Sequence, residues 1–165
     1  MYNTLVKTHL EYCILSWGNA RDRILEKLIN LQKKSVRIVS NKHRAHTYPI
    51  FASLNIFIFD DLLNMIIREF MFEHYNSKLT PSLQEIFVPL LGNNRTASYR
   101  IEVPNNESLS RFPSVIFPKV WNNLNIDIKK CESIKNFRTQ LKYLHKLKYL
   151  YYKCLNKNCY SCTNE

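Results

Sequence analysis

Four stretches of this chain repeat apolar residues at three- and four-residue steps, and that spacing commits each of them to an amphipathic helix. From Tyr2 to Trp17 the stripe is Leu5, Val6, Leu10, Cys13, Ile14 and Trp17, with Gly18 placed to end the helix. From Arg21 to Ser40, Ile24, Leu28, Leu31, Ser35 and Ile38 share one side. The stretch "DDLLNMIIREFMFEHYNSK" gives a third helix, capped by Asp60 or Asp61, whose buried face is Leu62, Leu63, Ile66, Ile67, Phe70 and Met71. The stretch "IKNFRTQLKYLHKLKYLYYKCL" gives the last, capped by Ser133, with Ile134, Phe137, Leu141 and Leu144 on one side.

Between these helices the texture differs. "PIFASLNI" reads as a short helical or extended piece. Five of the six prolines, Pro81, Pro89, Pro104, Pro113 and Pro118, then crowd one segment, where "SYRIEV" and "SVIFP" are short strand candidates. Pro118 suits the first turn of a short helix, "PKVWNNL". The expected fold class is therefore mainly α: an amphipathic helical bundle with an irregular Pro-containing connector and one short β-hairpin. In chain order this gives a helical region over 1–79, the connector over 80–117, and a short helix plus a long basic helix over 118–165.

A chain of 165 residues with 45% hydrophobic and 22% charged content has the material for a real core. Its two glycines, Gly18 and Gly92, are too few for a phosphate-cradling loop of the Walker or Rossmann kind, and no G-x-S-x-G turn exposes a nucleophilic serine. The five cysteines are an odd number, and Lys7 and Glu11 interrupt the first apolar run as a signal sequence would not. A reduced, intracellular protein is expected. The longest uncharged apolar-rich stretch, Thr47 to Phe59, is too short to span a bilayer and contains Pro49, so no membrane partner is expected.

The formal net charge of +11 favours polyanions. Residues 21–44 hold eight Lys or Arg against two acids, and residues 129–157 hold nine against one, so the excess sits in two helices. On the first, Arg23, Lys27, Asn30, Lys34 and Arg37 repeat at steps of four and three, a row about 21 Å long at 1.5 Å per residue. On the last, Lys135, Arg138, Lys142, Lys146 and Lys153 form a similar row, with Tyr149 falling inside it. The nucleic-acid-binding candidates are Arg23, Lys27, Lys34, Arg37, Lys135, Arg138, Lys142 and Lys146.

Three constellations resemble chemistry. "THLEYCILSWGN" sets His9 four residues before Cys13, a spacing at which imidazole can activate a thiolate, but no third orienting group or oxyanion hole stands nearby, and core packing is the expected role. Asp60-Asp61 resembles a two-metal aspartate turn of polymerases, yet Ile58 stands where an aromatic residue is needed and no earlier strand supplies a partner aspartate; helix capping is expected. Cys154, Cys159 and Cys162 form C-x4-C-x2-C, which His145 or the pair His43 and His46 would complete as a zinc site, but without a second paired half the spacing does not establish one. No catalytic residue, metal site or cofactor is assigned.

Taken in order, "YNTLVKTHLEYCILSWGN", "LINLQKKSVRIVSN", "RAHTYPIFASLNI", "FPKVWNNL" and "SIKNFRTQLKYL" carry a resemblance spanning nearly the whole chain. The chain resembles the region that follows the palm in reverse transcriptases of non-LTR, LINE-type retrotransposons. Phe117 stands where similar sequences commonly have glycine, and Asn125 where they often have proline. The resemblance implies a thumb-like helical region with a C-terminal extension that holds RNA, DNA or their hybrid against a palm outside this chain. It also implies a fragment that is not an enzyme alone, since the family's catalytic aspartates lie upstream of the segment matching Tyr2 to Asn19.

Overall fold

The computed structural model describes residues 2–43, 45–90, 98–101, 106 and 109–150, without the side chain of Leu150. The described residues form nine α-helices and no β-strand, so the chain is mainly helical. A π-helical turn, Asn3–Lys7, runs into α1 (Thr8–Glu11); α2 (Ile14–Trp17), α3 (Asp22–Val39), α4 (Thr47–Ser53) and α5 (Phe59–Tyr75) follow. After α6 (Pro81–Gln84) come a 3-10 turn at Leu109–Arg111, α7 (Pro113–Asn122), α8 (Ile126–Lys129) and α9 (Ile134–Leu150). No helix among the described residues is long and apolar enough to cross a membrane.

Two compact units are built from discontinuous segments. One draws on Met1–Ile14, Arg21–Leu62 and Tyr143–Glu165, the other on Leu15–Ala20 and Leu63–Lys142. A division in chain order does not map onto them, because α5 and α9 each contribute residues to both.

In the first unit Tyr2, Val36, Ile50, Phe51, Ile58 and Tyr149 form the core. At its centre is a polar side chain, Gln32, which is 2% exposed. Its Nε2 donates to Tyr2 Oη and to the Phe57 carbonyl, both at 2.8 Å, and its Oε1 accepts from the Phe59 N–H at 2.9 Å. A buried amide that satisfies three partners fixes which way α3 faces. The expected apolar face of α3 is accordingly corrected: Ile24, Leu31 and Ile38 are 60%, 60% and 62% exposed, while Gln32 and Val36 are buried. One residue along a helix is about 100° of rotation, so burying Gln32 in place of Leu31 turns Ile24, Leu31 and Ile38 outward and leaves Leu28 and Ser35 half-buried at the edge.

The first expected helix is also corrected. Cys13 takes φ 49°, in the left-handed region that side-chain-bearing residues seldom occupy, and this turn divides the helix into α1 and α2. Leu10 and Ile14 are buried on either side of it, whereas His9 and Cys13 are exposed, so neither packs in a core. Glu11 pairs with Lys7 at 3.4 Å.

The start of α5 is held from a distance. Asp60 and Asp61 do not serve as its caps: the helix begins at Phe59, whose N–H is taken by Gln32, and the Ile58 N–H donates to Tyr149 Oη at 3.0 Å. Asp61 accepts from Lys148 Nζ and from Tyr149 Oη, both at 2.7 Å, with His145 Nδ1 at 3.6 Å. Tyr149 is thus a core residue, 3% exposed, and not part of a basic row; Leu144, expected on the buried side of α9, is exposed. Burial and the hydrogen bond to Asp61 push the Tyr149 phenol well above its usual range.

The second unit is packed with aromatic rings. Phe72 and Phe137 stack with centroids 4.4 Å apart, Phe87 and Phe117 at 5.9 Å, and Trp121 is fully buried. The segment between residues 80 and 117 contributes to this core through Phe87 and Tyr99, so it is more than a connector. Among its described residues the strand pairing is one antiparallel bridge, Pro89 with Tyr99. The Asn122 side chain supplies the other edge, accepting from the Tyr99 N–H and donating to its carbonyl, each at 2.9 Å. "SVIFP" is helical, because Pro113 and not Pro118 starts α7; Pro118 lies inside that helix. Ser133 caps α9 as expected, its Oγ accepting from the Asn136 N–H at 3.2 Å.

Candidate nucleic-acid interface

Helix α3 has Asp22 in its first turn and Arg37 in its last, an arrangement that complements the helix dipole. With Gln32 and Val36 turned inward, Arg23, Lys27 and Lys34 are exposed and Arg37 is half-buried. Among the described residues no ion pair joins Lys27 or Lys34 to an acid. Three of these four side chains therefore lie on the surface of the first unit.

Part of the row is shaped into a cleft. Asn30, Lys33, Lys34 and Arg37 of α3 face His46, Thr47 and Tyr48 across a space of about 460 Å³. The Arg37 Nε donates to the Ala45 carbonyl at 3.2 Å, tying the end of α3 to the connection before α4 and orienting the guanidinium. Thr47 is buried, and Tyr48 meets Tyr149 edge-on at 6.2 Å, which fixes the second wall. Lys34 and Arg37 are brought together here; Arg23 and Lys27 lie outside the cleft. Lys33, His46 and Tyr48 are members that pattern reading missed. The signal for Lys33 was its four-residue step to Arg37; nothing local marks His46 and Tyr48, which arrive through the turn after α3.

The candidates on α9 divide. Lys135, Lys142 and Lys146 are exposed. Arg138 is bound to Glu69 at 2.9 Å, and that carboxylate, 16% exposed, offsets much of its charge. Lys148 is engaged by Asp61. Lys129 is buried, donates to the Asn122 carbonyl at 3.3 Å and lies 5.7 Å from the centre of the Trp121 ring; burial holds its ammonium below the usual lysine range. Some of the positive charge in this part of the sequence thus supports the fold. Lys153, with Cys154, Cys159 and Cys162, lies outside the described residues.

Among the described residues no three His, Cys, Asp or Glu side chains converge. Burial and the neighbouring Asp61 charge raise the Asp60 carboxyl, while Lys148 and Lys33 act in the opposite sense.

Comparison with known proteins finds no matching family model, no matching curated protein and no matching solved structure.

Proposed function

We propose that this chain is a non-catalytic fragment of a retroelement RNA-directed DNA polymerase that binds the backbone of RNA, DNA or their hybrid through α3. The observation that carries this reading is the row Arg23, Lys27, Lys34 and Arg37 on the open side of one helix. Lysine and arginine spaced along a rod neutralise successive phosphates and read charge and shape, not base sequence. Lys135, Lys142 and Lys146 are further candidates; Arg138, held by Glu69, contributes least. The resemblance to the region after a reverse transcriptase palm supports a reverse transcriptase as the parent enzyme. Replacing Lys27, Lys34 and Arg37 with glutamine is expected to weaken binding by a similar factor on unrelated sequences and to flatten the salt dependence by about 2–3 in log–log slope. Unchanged affinity would reduce the row to a solvated face.

A second reading rests on the other exposed strip of α3. Ile24, Leu28, Leu31, Ser35 and Ile38 recur at alternating steps of four and three, the spacing of a coiled-coil seam, with Ile24, Leu31 and Ile38 more than half exposed. In this reading the chain is a self-association module, a second copy covering the strip. Sedimentation across a concentration series distinguishes the two: a dimer abolished by Leu31→Glu supports self-association, and a monomer at all concentrations removes it.

A further inference from the structure

The cleft beside α3 has features that a backbone-binding rod does not require. Lys33 and Lys34 stand four and three residues before Arg37 on one helix, so each is held as a like-charged neighbour of the guanidinium. An anion lodged between them turns that repulsion into attraction, and a guanidinium already oriented by the Ala45 carbonyl is suited to the planar two-point recognition of phosphate. The opposite wall is not cationic surface but His46, Thr47 and Tyr48, which set rings and a hydroxyl across from the charges. The cleft is open to solvent on one side, and its volume of about 460 Å³ is enough to admit a small ligand.

We propose that this cleft binds one phosphorylated nucleoside, its phosphate monoester held by Lys33, Lys34 and Arg37 and its base placed against Tyr48. Base stacking on an aromatic side chain accepts any base, so the site selects for phosphate and ring and not for sequence. Asp60 lies within electrostatic range of Lys33 and offsets part of that charge. The proposal deepens the nucleic-acid reading of α3 and rests on it for context, but its claim is separate: one nucleotide unit occupies one pocket. The shared chemistry, a nucleoside carrying a phosphate monoester, is found both on a free nucleotide and at the 5′ end of a nucleic-acid strand.

The test is calorimetric titration of the full chain with adenosine 5′-monophosphate, uridine 5′-monophosphate and the two unphosphorylated nucleosides. Saturable 1:1 binding of both monophosphates, at least about tenfold tighter than the nucleosides (about 1.4 kcal/mol), is expected. The double variant Lys33→Gln with Lys34→Gln should lower it at least tenfold, whereas Lys78→Gln, an exposed lysine outside both the cleft and the basic rows, should leave it within twofold. Circular dichroism of each variant confirms that it folds. A 5′-phosphorylated oligonucleotide that displaces the monophosphate, where the same strand ending in a 5′-hydroxyl does not, assigns the site to a strand end; failure of both to compete assigns it to the free nucleotide. Absence of saturable monophosphate binding, or binding unchanged in the double variant, overturns the proposal while leaving duplex binding by the row intact. Absence of duplex binding by the native chain, with saturable monophosphate binding present, overturns the backbone reading instead.

Discussion

Replacing Gln32 with methionine keeps the volume and apolar stem of the side chain and removes all three of its hydrogen bonds. The consequence follows from where the partners are. The Phe59 residue is fully buried and Tyr2 is 5% exposed, so water does not replace the lost bonds to the Phe59 N–H and the Tyr2 hydroxyl. The Phe57 carbonyl, partly buried, loses a donor as well. At about 1–3 kcal/mol for each buried group left unsatisfied, the substitution should cost roughly 3 to 5 kcal/mol, a large fraction of the stability of an ordinary domain. In urea, with a slope of about 2 kcal/mol per molar, the midpoint followed by far-ultraviolet circular dichroism should fall by about 1.5–2.5 M. The Phe59 amide should also lose hydrogen-exchange protection out of proportion to its neighbours. A loss below about 1 kcal/mol with Phe59 still protected would refute the claim that Gln32 orients α3.

Tyr149→Phe should cost about 1–3 kcal/mol, because the Ile58 N–H loses its acceptor and one Asp61 oxygen its donor; the urea midpoint of the variant measures it. In the second unit His74 is buried, with Tyr99 Oη at 2.7 Å from Nδ1 and the Gln84 carbonyl at 3.1 Å from Nε2, an environment that suits the neutral ring. Burial holds this imidazole below its ordinary value of 6.5, so the unfolded chain binds the proton more readily. Stability attributable to His74 is therefore complete above pH 6.5 and lost as pH falls from 6.5 toward the folded-state value. Denaturation between pH 7.5 and 5.5 should show that decline in the native chain and less of it in His74→Gln. Arg138→Gln, which removes an ion pair half open to solvent, should change stability by less than about 1 kcal/mol in the same assay.

The existence of the long helices was legible because apolar spacing reports it directly; α3, α5 and α9 lie where periodicity puts them, and Ser133 caps α9. The face each helix buries was less legible. Periodicity weighs apolarity alone, whereas Gln32 is drawn inward by backbone groups of Phe57 and Phe59, 25 and 27 residues away, and Tyr149 by Ile58 and Asp61. The same long-range pairing gave Asp61 a partner on α9 in place of a capping role. Pro113 and Pro118 both satisfy the rule for a first helical turn, and burial of Val115 and Phe117 favours the earlier start. The cations of α3 were readable as a row; the cleft was not, because its second wall comes from residues after a turn that spacing does not resolve.

The most direct test of the nucleic-acid reading is fluorescence anisotropy of the purified chain with a short RNA–DNA hybrid across a salt series. Engagement of three or four phosphates by α3 predicts a log–log slope of about −3, an affinity that is steeply lost with salt, and a shallower slope once Lys27, Lys34 and Arg37 are glutamine. Weak binding that is indifferent to salt and to those substitutions would contradict it.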